Sequence, residues 1–130
     1  MASPISTVRD ELSIMHTLID LMKQEQRLLV QADTDALNTI TPQKSQLIGQ
    51  MAELGKTRHA HLVAAGFAPE DASMSGWLAQ HGDKDAVQLW EDLLAATRQA
   101  KELNRVNGML IAKQLGNTQT IINAMRTPTG

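Results

Sequence analysis

Hydrophobic side chains recur three and four residues apart along the first thirty residues of the chain. This spacing is typical of an amphipathic helix, and here the apolar stripe is wide enough to contact two neighbouring helices. Ser3 and Pro4 suit the start of a helix, so we predict a first helix over residues 3–31. The main row contains Ile5, Val8, Leu12, Met15, Ile19, Met22, Gln26 and Leu29, and a second row contains Ile14, Leu18, Leu21 and Leu28.

A second apolar row follows a short turn in which Asp33 or Asp35 can cap the next helix. It predicts a helix over residues 34–65, interrupted at Thr41-Pro42. Proline removes a backbone donor and disfavours helix at the residue before it. We therefore expect either a kink in this helix or a short helix followed by a new start at Thr41. The row contains Leu37, Ile40, Leu47, Met51, Leu54, His61 and Ala65.

Residues 66–82 differ in composition from the helical segments, since they contain three of the eight glycines and the only phenylalanine. We predict an irregular connection here with one or two short helical turns. Phe67 and Trp77 are the expected anchors, since they are large enough to close the end of a helical bundle. Without such anchors, a connection of this length would be unusual in a compact protein.

The last helical pattern covers residues 83–126, from a capping Asp83 to the segment before Pro128. Such a helix would be about 60 Å long, against about 40 to 45 Å for each of the first two. We predict a single all-α domain over residues 1–130. It is an antiparallel three-helix bundle with a long C-terminal helix that protrudes or refolds.

Two features subdivide the long helix. The first is a polar interruption formed by Asn104, Asn107 and Gly108, which we interpret as a hinge or register device, with ordinary close packing as the alternative. The second is an apolar cluster beyond the expected end of the bundle. Unpartnered, that cluster is expected to fray, fold back or self-associate, because burying its side chains and ordering its backbone involve comparable free energies.

Composition and charge argue against several classes of protein: secreted, membrane-spanning and nucleic-acid-binding. Cysteine is absent, which suits a reducing cytoplasm. Neither a secretion signal nor a membrane-spanning run is expected, and thus no membrane insertion. Residues 1–97 carry a net charge of −6 and residues 98–130 carry +4, for −2 overall. The C-terminal cations are dispersed without aromatic residues between them, so nucleic acid is not an expected partner.

Catalysis requires converging polar groups, and none of the common motifs is present in the sequence. There is no Glu-x-x-His or His-Glu-x-x-His metal motif, no phosphate-binding glycine loop and no serine nucleophile motif. His59 and His61 are two residues apart, which places them on different faces of a helix. We expect no catalytic residues, no metal and no cofactor.

The chain resembles the FlgN family of flagellar type III export chaperones over nearly its whole length. In the first two helices the likeness involves Glu25, Leu28 and Leu29, residues 33–37, Lys44 with Leu47, Arg58 with Leu62, and Gly66. In the last helix it involves Trp90 and the block Asn104, Asn107, Gly108, Leu110 and Ile111. The Asn-x-x-Asn-Gly block is its most specific element.

The resemblance implies a cytoplasmic chaperone that holds hook-filament junction (hook-associated) proteins and delivers them to the flagellar export gate or ATPase components. It also implies that the C-terminal helix binds the helical C-terminal segment of the cargo. The cargo-binding residues expected on that basis are Leu110, Ile111, Leu115, Ile121, Ile122 and Met125. Self-association through this helix is a further possibility.

Three alternatives remain at the level of sequence. The first is a structural helical-bundle or coiled-coil subunit without chaperone activity. It predicts a constitutive oligomer in which the C-terminal helix is permanently buried. The second is a secretion chaperone for unrelated cargo, and the third is an enzyme, which would require a defined pocket with a perturbed carboxylate or histidine.

Overall fold

The computed structural model describes residues 3–126, apart from the side chains of Thr118 and Ile121. Within that range the protein is all-α. The helices are α1 (Val8–Gln31), α2 (Thr34–Ala64), α3 (Ser73–His81) and α4 (Lys84–Arg126). The predicted all-α helical bundle is confirmed.

Aspartate side chains begin the two longest helices. The Asp33 carboxylate accepts a hydrogen bond of 3.1 Å from the Ala36 amide at the start of α2. Asp83 accepts one of 2.8 Å from the Ala86 amide at the start of α4. Each carboxylate satisfies a backbone donor that the helix itself leaves unpaired.

Helix α1 begins at Val8, so the prediction of a helix from residue 3 is wrong at its first turn. The Ser6 amide donates to the Ser3 carbonyl oxygen at 2.9 Å, which closes a tight turn instead. Thr7 precedes the helix without capping it through its side chain. Its hydroxyl instead donates to the Glu11 carboxylate at 3.0 Å, one helical turn further along the chain.

Helix α2 runs through Pro42 without a break, so the alternative of a new helix beginning at Thr41 is wrong. Proline removes one helical hydrogen bond, yet nearby side chains bond to the backbone of the same turns. The Thr41 hydroxyl donates to the Leu37 carbonyl oxygen and the Gln43 amide to the Thr39 carbonyl oxygen. Packing against α1 outweighs the local cost of the proline.

The connection over residues 66–82 is more regular than predicted, because it contains the nine-residue helix α3. Trp77 is buried in the core, and Phe67 packs against that core. A Cβ atom at Gly76 would lie 3.1 Å from Cε1 of Phe67, so the glycine lets the aromatic ring lie close to α3. The two aromatic side chains therefore anchor the segment at one end of the bundle.

Helix α1 lies at the centre of the molecule and packs against both α2 and α4. It runs antiparallel to α2 and parallel to α4, since Asn107 bonds to Met22 and Gln114 bonds to Leu29. Methionine and leucine side chains, with Trp90, fill most of the core between them. Because α1 holds the other two helices together, a groove is left between α2 and α4.

Candidate functional site

Helix α4 extends past the end of α1. The last described contact between the two helices is the hydrogen bond from Gln114 Nε2 to the Leu29 carbonyl oxygen, two residues before α1 ends. The eleven residues of α4 from 116 to 126 therefore add about 16 Å of helix beyond the bundle. We call residues 115–126 the overhang. It protrudes and does not fold back.

The predicted cargo-binding residues divide into two groups. Leu110 is half-buried in the free protein, where contact with α1 continues to Gln114, and its assignment to cargo binding stays a prediction. The exposed members, with the exposed fraction of each residue, are Ile111 (48%), Leu115 (69%), Ile122 (37%) and Met125 (81%). The side chain of Ile121 lies outside the described part of the structure.

Exposed apolar side chains of this size are informative where several occur in one segment. Among the described residues, five lie between 109 and 125 of α4, whereas the other exposed large hydrophobic residues, Val30, Ile48, Val63 and Leu94, are scattered over three helices. Leu115 also lines a cavity of about 340 Å³ with Leu29 and Leu37, where the overhang leaves the bundle. The overhang therefore presents an apolar surface that is continuous with the end of the core.

Asn107 is the polar residue of the predicted hinge or register block that the fold buries, at 1% exposure. Its Nδ2 donates to the Met22 carbonyl oxygen at 2.9 Å and to Glu25 Oε1 at 2.8 Å, whereas its Oδ1 is buried without a partner. These bonds exist only in one alignment of α4 against α1. The contacts are compatible with a register device, and the choice between that and ordinary close packing stays a prediction.

Asn104 and Gly108 differ from Asn107, since both are exposed. Helix α4 is continuous through Gly108, and nothing lies within 4 Å of the Cβ position there. The glycine is therefore not required by packing within the bundle. A hinge at this position stays a prediction.

Two buried carboxylates on α1 were not predicted as core residues. Glu11 is 1% exposed and Glu25 is 5% exposed. Glu11 receives two hydrogen bonds from Arg58, at 3.0 and 3.1 Å, and Glu25 receives two from Lys44 Nζ, both at 3.0 Å. Buried charges require this pairing, because an unpaired one would be strongly destabilising.

A signal for these pairs was present in the sequence. Glu11 and Glu25 are fourteen residues apart, and so are Lys44 and Arg58. Two heptads separate the members of each set, which places them at equivalent positions of two antiparallel helices. A reading of the sequence that considers only the apolar rows does not reveal these charged pairs.

Arg58 is also the centre of a larger cluster at the α3 end of the molecule. It donates to Asp71 at 2.8 Å and lies over the Trp90 ring, with Cζ 4.9 Å from the ring centroid. Asp71 also contacts His59 Nε2 at 2.7 Å. The cluster thus connects α1, α2, the loop before α3, and α4.

The charges of this cluster shift two pKa values. Burial would lower the pKa of Arg58, but hydrogen bonds and charge attraction from Glu11 and Asp71 outweigh it and raise that pKa. Burial would likewise raise the pKa of Asp71, but bonds from His59 and Arg58 lower it. Both groups are held in their charged forms, which suits a structural ion-pair network.

Two kinds of site were not found among the described residues. No group of three or more His, Cys, Asp or Glu residues among them is placed to hold a metal ion. No helix within residues 3–126 is long and apolar enough to cross a membrane.

Comparison with known proteins identifies the family. The model of the FlgN protein family matches residues 1–130, which is the whole chain. No significant match was found among curated proteins or among solved structures. FlgN proteins are a chaperone family and are not known as enzymes. The chain therefore belongs to the FlgN family and has the general role of a flagellar export chaperone.

Proposed function

We propose that this protein binds the helical C-terminal segments of hook-filament junction proteins in the cytoplasm and keeps them unassembled. It then delivers them to the export gate or ATPase components of the flagellar type III apparatus. The overhang is the proposed cargo-binding surface. The observation that carries this proposal is the exposure of Leu115, Ile122 and Met125 on a helix that protrudes from the bundle.

A helix of the cargo is a suitable occupant of this surface. An amphipathic helix buries its apolar stripe best against a second helix or a groove. Covering Leu115 and Met125 would contribute up to about 1.5 to 3 kcal/mol each before ordering costs, and Ile122, which is already partly covered, would contribute less. The costs of association and ordering offset much of this free energy, so the net affinity for the cargo helix is moderate and release remains feasible.

Self-association is the competing use of the overhang. No Asp or Glu follows Glu102, whereas Lys113 and Arg126 lie in or beside the overhang. Two copies paired through this segment would bring together apolar side chains and cations of the same sign. The charge pattern therefore favours a different partner over a second copy.

The test uses the isolated C-terminal segments of the organism's own junction proteins, with binding measured by calorimetry. Leu115→Asp combined with Ile122→Asp is expected to weaken binding at least about a hundredfold, because two apolar contacts are replaced by desolvated charges. Val63→Asp is the matched control, since Val63 is 54% exposed on α2, away from the overhang. Its affinity should stay within about twofold of the wild type.

A truncation separates the overhang from the rest of the bundle. Deleting residues 115–130 removes the whole overhang but keeps Gln114 and its bond to Leu29, so the truncated chain should remain folded by circular dichroism. Unchanged cargo affinity in this chain would refute the overhang as the binding surface. A dilute wild-type protein that sediments as a constitutive dimer, and loses the dimer on truncation, would favour the structural-subunit alternative.

A further inference from the structure

A groove between α2 and α4 is left open along one face of the bundle. Its floor is formed by Met15, Leu18 and Met22 of α1, and its sides include Ile48 and Met51 of α2. The wall formed by α4 is shallow, because the side chains of Ala100 and Thr97 are small. Such a long apolar depression with two helical walls has the shape that a further helix would fill.

The groove and the overhang share one row of residues on α4. Leu94 and Lys101 line the groove at the α3 end, and Leu115 lines a separate cavity further along the helix. These residues lie on one row of α4 with seven-residue spacing, which also includes Gly108 and Ile122. Residues seven apart lie nearly above one another on a helix, with a drift of about 20° per heptad. A helix bound to the overhang would therefore reach the groove by continuing along the same row.

The charges beside the groove indicate the chemistry of its occupant. Lys44 is paired with Glu25, and Arg58 is paired with Glu11 and Asp71. Lys56 and Lys101, which also line the groove, are exposed and form no ion pair with any described residue. The uncompensated charge is therefore positive, on both the α2 side and the α4 side.

We propose that the groove between α2 and α4 binds an amphipathic helix of the cargo whose apolar stripe is flanked by acidic residues. This proposal rests on the chaperone function proposed above and adds a second surface to the overhang. The methionines of the floor adapt to different apolar side chains. Lys56 and Lys101 pair with acids on the two flanks of the bound helix. The overhang itself is an unsuitable occupant, because its one charged residue, Arg126, is a cation.

The probe is a designed 21-residue helical peptide with leucine at the a and d positions and glutamate at e and g. Its length of about 32 Å matches the distance along α4 from Trp90 to Ile111. A second peptide has lysine in place of each glutamate. Fluorescence anisotropy of the labelled peptides is measured against the full chain, at low salt and again at about 0.5 M salt, which screens exposed charge pairs.

The glutamate peptide is expected to bind at least about tenfold more tightly than the lysine peptide, and the difference should shrink in high salt. Lys56→Glu combined with Lys101→Glu should reverse the order of the two peptides. Ile48→Asp should weaken the glutamate peptide about tenfold or more, since Ile48 is 52% exposed in the groove wall. Val63→Asp is its matched control, with 54% exposure outside that wall, and should have less than about a twofold effect.

Equal binding of the two peptides, or equal effects of Ile48→Asp and Val63→Asp, would overturn the proposal. So would a dimer that Ile48→Asp dissociates, because the occupant would then be a second copy. The groove and overhang variants are also compared with the natural cargo segments. Loss of cargo binding only in Leu115→Asp with Ile122→Asp would refute the groove and keep the overhang. Loss only in Ile48→Asp would refute the overhang as the cargo site.

Discussion

At the scale of single residues, Asn107 shows how a polar side chain specifies the packing of this bundle. It connects α4 to the backbone of α1 and to Glu25, which is itself paired with Lys44 of α2. One buried carboxylate thus receives bonds from both neighbouring helices. A shift of α4 by a single turn would leave these groups buried and unpaired, at a cost greater than the loss of an apolar contact.

Asn107→Ala is expected to reduce the free energy of unfolding by about 1 to 2 kcal/mol, because it removes two buried hydrogen bonds. Urea denaturation measures the change. Asn104→Ala is the matched control, since Asn104 is exposed on the same helix and its change should stay within about 0.5 kcal/mol. Equal effects of the two substitutions would show that Asn107 does not fix the register.

At the scale of elements, α4 contains a bundle segment and an exposed segment within one uninterrupted helix. Gly108 lies near their junction, exposed and with open space around its Cβ position. Glycine in a helix interior is unfavourable relative to alanine. Packing in the free protein does not require it, and we propose that it serves flexibility or the close approach of a partner.

Gly108→Ala is expected to raise the free energy of unfolding by up to about 1 kcal/mol, because the alanine gains helix propensity without a clash. Thermal or urea denaturation would measure this gain. If Gly108 serves a partner helix or a bend, the same variant should bind the cargo segment more weakly than the wild type. A variant with greater stability and full affinity would exclude both roles.

At the scale of the whole molecule, two ion-pair clusters connect the helices at different positions along the axis of the bundle. The Glu25 cluster connects α1, α2 and α4. The Arg58 cluster adds the loop before α3 through Asp71. Buried ion pairs often stabilise a fold no more than apolar residues of similar size would, and we infer that these clusters mainly fix the alignment of the helices.

The free energy of unfolding should decrease at acidic pH, in part because Asp71 becomes protonated. The pKa of Asp71 is lowered from its ordinary value of 3.8 in the folded protein. Its contribution is therefore present above pH 3.8 and is lost as the pH falls through the lower folded pKa. Since the side chain is 62% exposed, the contribution is under about 1 kcal/mol.

Asp71→Asn should flatten the acid-side decrease of the melting temperature below about pH 4, and added salt should reduce the difference from the wild type. Glu102→Gln is a suitable comparison. The pKa of Glu102 is also lowered, chiefly by its hydrogen bond with Arg105, but this pair is exposed on α4. A larger effect for Glu102→Gln than for Asp71→Asn would contradict a structural role for the Arg58 cluster.

The sequence by itself determined the helical class, the start of α4 at Asp83 and the excess length of that helix. These features depend on local preferences and periodic apolar positions, which are present in the chain before it folds. The apolar residues at the C-terminal end were also evident from sequence. The sequence left open whether the helix that carries them protrudes or refolds, and the structure shows one continuous helix to Arg126.

Only the tertiary structure decided that α2 continues through Pro42, that residues 66–82 contain α3, and that Glu11 and Glu25 are buried. In each case contacts between distant segments outweigh a local preference. A proline disfavours helix locally and a carboxylate prefers water, but packing and ion pairing against neighbouring helices reverse both tendencies. The open groove likewise arises from the relative placement of α1, α2 and α4, which no local pattern specifies.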